Sequence, residues 1–192
     1  MLRPIRTIAA ALLFMLATMA FTQENPQPEN KPEQYSATAF ITGGPANGKS
    51  FGVNIYINSY TTDEEVKDFI HVLKTDGPDG LEKAFDKAPE RGRIAPTGST
   101  GNNLSVVRSH NAETKRILRM ATNRIVSFPE LRDNGRSRDY KFSIIELRLD
   151  ADGNGEGTLM YATKVKFNKK GELELEHYGQ KPIRLANVRK EK

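Results

Sequence analysis

The stretch "GGPANGKS", Gly43 to Ser50, fits the phosphate-loop pattern G-x-x-x-x-G-K-[ST] letter for letter. That pattern works when a strand delivers glycine amides to a phosphate and a helix begins at the Lys-Ser pair, so that its first N–H groups point at the anion. The residues after Ser50, "FGVNIYIN", alternate β-branched or aromatic side chains with glycine and asparagine, which predicts a strand. With no helix to supply the dipole, Gly43, Gly44, Pro45, Asn47 and Gly48 read as a hairpin connection. The expectation is a protein without a nucleotide site.

"DADGNGEG", Asp150 to Gly157, matches the first six positions of a calcium loop, but Tyr161 stands where the bidentate glutamate belongs. A hairpin with the loop Gly153-Asn154-Gly155 would pair Leu149 with Leu159 and Leu147 with Tyr161. Asp152 would then face Glu156, a like-charge pair that a cation relieves. Asp150, Asp152, Asn154 and Glu156 are therefore the candidate ligands of a weak surface calcium site, the one cofactor the sequence suggests. A solvated turn is the simpler reading.

The other titratable residues are scattered. Glu146 sits among Ile144, Ile145 and Leu147, where burial would raise its pKa and suit it to general-acid work; an arginine partner is the plainer alternative. His71 falls on the polar side of a helix with Lys67 and Lys74, and His110 is read into a turn. His177 shares a strand face with Leu173 and Leu175. No metal triad follows from that spacing. No serine occupies a G-x-S-x-G elbow, and "GSTG" (98–101) reads as a loop. Residues 108–141 hold nine Lys or Arg against four Asp or Glu, and "LRDNGRSRDYKF" would make an anion-binding rim. The interspersed acids favour a mixed solvated face.

Composition narrows the chemistry further. No cysteine is present, which removes disulfides, thiolate catalysis and lipobox acylation. The formal charge of +5 falls to +3 once Arg3 and Arg6 are removed with a leader, a balance that suits solubility and gives no nucleic-acid footprint.

The elements that must position these residues are mostly strands. "QYSATAFIT", "SFGVNIYINSY", "RGRIAP", "NLSVVRSH", "KRILRMATNRIVSF", "YKFSIIELRLD", "GTLMYATKVKFN", "ELELEHY" and "KPIRLANV" are β-rich and divided by Gly, Asn, Asp and Pro. One exception interrupts them. Val66, Phe69, Ile70 and Leu73 recur at helical spacing after a Thr61 or Thr62 cap with Glu64 or Glu65. Leu81, Ala84, Phe85 and Ala88 repeat the spacing beyond "TDGPDG". The pattern predicts a helical hairpin over residues 61–89, with one apolar stripe per helix.

A second register is fixed by charge and apolarity together. A three-residue loop, Lys169-Lys170-Gly171, pairs Phe167 with Leu173 and Val165 with Leu175, and sets Lys166 and Lys164 opposite Glu174 and Glu176. Leu159, Tyr161, Val165 and Phe167 would share one face of their strand.

Residues 1–22 read as a signal peptide. Arg3 and Arg6 precede the apolar run "IAAALLFMLATMA", and Thr18 and Ala20 offer a cleavage site. The run is short for a membrane span, so no stable anchor is expected after cleavage. Residues 23–34, with three prolines, read as a disordered tether, and residues 35–192 as one domain.

"TNRIVSFPE", "SRDYKFSIIELRLDADGNGEGTL" and "KPIRL" together resemble a group of exported bacterial proteins of similar length without an assigned activity. The resemblance covers the chain from about Tyr35, carries no catalytic or binding residue, and implies a non-enzymatic role. The reading is therefore an α+β domain, mainly antiparallel β in about eight or nine strands, sandwich or barrel-like, with the helical hairpin inserted. It would be exported to the periplasm or beyond as a binding or envelope-associated module. The alternative is a hydrolase or cation-dependent enzyme using Glu146 and the Asp150–Glu156 loop.

Overall fold

The structure, a computed structural model, describes residues 31–43, 46–126, 140–168, 170–177 and 181–192. The leader and most of the tether lie outside them. Among the described residues no helix is long and apolar enough to cross a membrane.

The strands are β1 (Glu33–Phe40), β2 (Ser50–Ile57), β3 (Gly92–Pro96), β4 (Asn102–Leu104), β5 (Val106–Ala112), β6 (Lys115–Thr122), β7 (Phe142–Leu149), β8 (Gly155–Phe167), β9 (Leu173–His177) and β10 (Ile183–Lys190). Their order is β4-β3-β2-β1-β10-β8-β7-β6-β5, with β9 added to β8. Every pairing is antiparallel. The two ends of that order, β4 and β5, are separated in sequence by Ser105 alone. Leu104 pairs with Gly92 of β3, while the Ser105 N–H donates to the Ala121 carbonyl at 3.0 Å on the β6 side. One stretch of chain thus supplies both edges, and the sheet curls into a nearly closed barrel. Closure removes the open edges that would otherwise pair with other chains.

Period-two patterning sorts the side chains. Tyr35, Ile55, Ile94, Leu118, Leu147 and Leu185 are among the fully buried residues that fill the interior. Each such burial contributes ~1.5–3 kcal/mol, enough to hold the fold without disulfides.

The hairpin, α1 (Asp63–Lys87), follows β2. Thr62 caps it, its hydroxyl accepting from Glu65 N while the Glu65 carboxylate accepts from Thr62 N at 2.8 Å. The chain breaks helical geometry at Gly77 (φ 70°, ψ −164°), and Pro78 starts the second half, where its missing N–H costs nothing. In one straight helix, Phe69 and Phe85 would lie ~24 Å apart. Their ring centroids are 5.0 Å apart, so the chain turns back on itself as the two-stripe pattern predicts.

Both stripes rest on the outside of the barrel. Phe85 meets Phe142 edge-on at 5.6 Å, and Leu73 and Leu81 join Val165 and Leu173 in a second apolar cluster. This layer depends on a bulge. Ile144 pairs with Met160 but Phe142 pairs with Thr163, so β8 carries one extra residue between them. The extra residue reverses the strand's faces. Leu159 points into the barrel, whereas Val165 and Phe167 join the outer layer, so the four residues expected on one face are divided between two cores.

The Lys170–Gly171 turn has the register read from the sequence. Phe167 pairs with Leu173, Val165 with Leu175, Lys166 with Glu174 and Lys164 with Glu176. Gly171 has φ 76°. Lys169 itself lies outside the described residues. The tether boundary shifts: β1 begins at Glu33, two residues before the expected start, because Glu33 has a buried role.

Candidate functional site

The barrel interior is occupied by packed side chains, so the open volume lies elsewhere. A cavity of about 110 Å³ separates the hairpin from the outer faces of β5, β6 and β7. Val66, Phe69, Leu73, Leu81 and Phe85 form its roof. Val106, Ala121, Phe142 and Ile144 form the floor, and Val165, Leu173 and Leu175 of the β8–β9 arm close one side. The alternation that fills the barrel with Val107, Leu118 and Ile145 necessarily turns Val106, Ala121 and Ile144 outward, and only the hairpin covers them. Arg108, His110 and Arg119 give this apolar chamber one polar end.

His110 lies on β5 opposite Ile117, not in a turn as the sequence suggested. The turn comes later, around Glu113, which adopts φ 54° between Ala112 and Lys115. His110 is 8% exposed, and its Nε2 has no hydrogen-bond partner among the described residues. Burial lowers the His110 pKa, the nearby Arg119 and Arg108 charges lower it further, and Glu146 opposes them. The ring is therefore neutral at pH 7.

Glu146 is 3% exposed and lies in β7, between β6 and β8. Arg119 Nε donates to one carboxylate oxygen at 2.8 Å and Arg148 Nε to the other at 2.9 Å. That is a structural ion pair, the arginine-partner alternative. The remaining Nη groups of Arg119 have no hydrogen-bond partner among the described residues. Arg108 donates from Nη1 to the Thr61 carbonyl at 2.7 Å and pairs through Nη2 with Asp63 at the start of the hairpin.

The proposed calcium ligands are not brought together as expected. The hairpin pairs Leu149 with Gly155 and Leu147 with Gly157, so the expected Leu149–Leu159 and Leu147–Tyr161 pairs do not form. The Asp150 carboxylate decides this register by accepting from Asp152 N at 3.0 Å and Asn154 N at 2.9 Å, while Gly153 takes φ 80°. Glu156 consequently faces Arg148 rather than Asp152, and it also accepts from Arg184 at 3.3 Å. The like-charge pair that invited a cation does not exist. Among the described residues, no group of three or more His, Asp or Glu is placed to hold a metal ion.

In "GGPANGKS" strand β2 starts at Ser50, where a phosphate loop would begin a helix. Ile41 N donates to Lys49 O at 3.0 Å and Gly48 N to Ile41 O at 2.9 Å, closing the β1–β2 hairpin. Gly44 and Pro45 lie outside the described residues. So does most of "LRDNGRSRDYKF", the suggested anion rim. His71 is exposed on the hairpin, and His177 pairs through its backbone with Thr163.

Sequence reasoning missed a polar cluster inside the barrel. Glu33 accepts from Arg116 Nη1 at 2.9 Å and Nη2 at 3.0 Å, from Tyr60 OH at 2.7 Å, and from Tyr35 OH; Lys190 Nζ lies 3.2 Å away. Arg116 also donates from Nε to Ser109 Oγ at 2.9 Å. Burial alone would raise the Glu33 pKa, but the hydrogen bonds from Arg116, Tyr35 and Tyr60 outweigh it and hold the carboxyl at about 2. Burial and the neighbouring carboxylate push both tyrosine hydroxyls up. The signal available was parity: Glu33 is in phase with inward-facing Tyr35, and Arg116 with inward-facing Leu118.

No family model, curated protein or solved structure matches the chain. The resemblance to exported bacterial proteins rests on its three quoted segments alone.

Proposed function

We propose that the chain is an exported, non-enzymatic binding module, and that its working part is the chamber between the helical hairpin and the barrel. The ligand class is a small, largely apolar molecule. One observation carries this reading: a buried His110 Nε2 with no hydrogen-bond partner among the described residues, at the polar end of a largely apolar cavity. Leaving such a nitrogen unmatched costs about 1–3 kcal/mol, a cost that a structural core has no reason to keep and a ligand group offsets. At about 110 Å³ the cavity is smaller than the ~150 Å³ dry cavity that takes up benzene, so a ligand of one ring or less needs the hairpin to give slightly. The hairpin is also built to stay in place. Arg91–Glu65, Arg108–Asp63 and Lys141 with Asp79 and Glu82 fasten it at its margins, leaving the middle apolar. Export is supported by the basic, apolar and small-residue sequence of the first 22 residues.

Thermal melting with toluene tests the reading. Saturating toluene should raise the melting temperature by a few degrees, because a ligand at ~100 times its dissociation constant stabilises by ~2.7 kcal/mol. Ala121→Leu, which fills the floor of the chamber, should abolish that rise. A melting temperature indifferent to toluene, or a rise that survives in Ala121→Leu, contradicts it.

A further inference from the structure

We propose that the ligand of this chamber is a small neutral alcohol or phenol, its hydroxyl seated against His110 Nε2 and its apolar body under the hairpin. The inference rests on the chamber reading and names its ligand class. The chamber has two chemically distinct ends. Phe69, Leu73, Phe85, Phe142 and Leu173 enclose the apolar end. On the outer face of β5 the order is Val106, Arg108, His110, with Val106 opposite Ala121 and Arg108 opposite Arg119 on β6. The lining therefore changes from apolar to polar along one strand, and His110 stands at the polar end.

Charge at this end selects against an ion. Arg108, Arg119 and His110 are the polar residues of the lining. Arg119 is held by Glu146 and Arg108 by Asp63, and the His110 ring is neutral. A charged ligand would enter with no counter-charge left for it, and a buried charge needs one. The chemistry of the imidazole then selects among neutral groups. A neutral ring carries its proton on one nitrogen and a lone pair on the other. Whichever form it takes, Nε2 has no hydrogen-bond partner among the described residues. A hydroxyl meets both forms, because it donates and accepts. A carbonyl or ether oxygen only accepts, and a hydrocarbon leaves Nε2 unmatched.

Phenol and toluene differ by a hydroxyl in place of a methyl, and phenol is neutral at pH 7. Calorimetry should find phenol binding at least as tightly as toluene, although water solvates it far better. Toluene should displace it, because so small a cavity holds one ring at most. His110→Leu should cut phenol affinity roughly tenfold or more, the scale of one hydrogen bond to a buried group, and change toluene affinity less than about twofold. Benzoate, the same ring bearing a charge, should bind more weakly than phenol. Nitrogen-15 spectra of the native protein need no variant: the His110 Nε2 resonance should move further with phenol than with toluene. With toluene bound as expected, any of four results would overturn the hydroxyl assignment and leave the chamber reading intact. They are phenol weaker than toluene, equal losses in His110→Leu, an Nε2 resonance that moves no further with phenol, and benzoate tighter than phenol. Phenol that toluene cannot displace would lie elsewhere, which also overturns the assignment. If neither phenol nor toluene binds, the chamber reading and the assignment fall together.

Discussion

Glu33 and Arg116 meet across the barrel interior through a two-pronged ion pair, with N–O distances of 2.9 and 3.0 Å, although β1 and β6 are not neighbours in the sheet. Both residues project inward, and Tyr35 and Tyr60 complete the carboxylate's hydrogen bonds. The pair fixes the distance between opposite walls. Removing one partner strands the other in a largely dry setting. Glu33→Gln or Arg116→Met alone should therefore destabilise by about 3 kcal/mol, and the double variant by clearly less than the sum. Urea unfolding of the four proteins measures this coupling, and additive losses would show that the pair does not act as a unit.

The same pair sets the acid limit of the fold. The Glu33 pKa is about 2 in the folded chain against 4.5 unperturbed, so its contribution is fully present above pH 4.5 and is lost as pH falls through about 2. By linkage the loss across that window is about 3 kcal/mol. Chemical unfolding at a series of pH values should show this decline in the native protein and its absence in Glu33→Gln. Parallel profiles would contradict the assignment.

His110 works in the opposite direction to a stabilising residue. Its folded pKa lies below 6.5, so the unfolded chain takes up a proton first, and stability falls as pH drops below 6.5. His110→Leu removes both the unmatched nitrogen and that slope. It should raise stability by about 1 kcal/mol at pH 7 and flatten the profile between pH 5 and 7, within the ~pH 5–8 range where histidine charge normally changes. A destabilised variant would mean that the imidazole serves the core.

Gly171 reports on the arm that walls the chamber. At φ 76° a β-branched side chain is strained, so Gly171→Val should cost about 1 kcal/mol or more. Space is open around its missing Cβ, so the cost is purely that of the backbone. Calorimetric melting measures it, and an unchanged midpoint would refute the turn conformation.

Local features were legible in the sequence where one short stretch settles the outcome. The Thr62–Glu65 capping box, the Lys166–Glu174 register and the strand after Ser50 follow from residue types a few positions apart. The hairpin's reversal at Gly77 belongs with them. The barrel closure was not legible, because it depends on Ser105 bonding across to Ala121, and no local pattern encodes which strand becomes the neighbour. The β8 bulge was missed for a related reason: period two gives no sign of one extra residue, yet that residue moves Val165 and Phe167 from the barrel to the chamber. His110 was placed in a turn because Ser109, His110 and Asn111 are polar. In the strand they alternate: Ser109 joins Arg116 in the barrel interior, while His110 lies on the outer face near Arg119 and Glu146.

Methyl-labelled carbon–proton correlation spectra during a toluene titration test the chamber beneath the hairpin most directly. Saturable shifts are expected at methyl groups that line the chamber, among them Leu73, Leu81, Val106, Val165 and Leu173. The barrel-interior methyls of Ile55, Leu118 and Leu185 should stay in place. Shifts centred on the barrel interior, or no saturable shift at all, would contradict it.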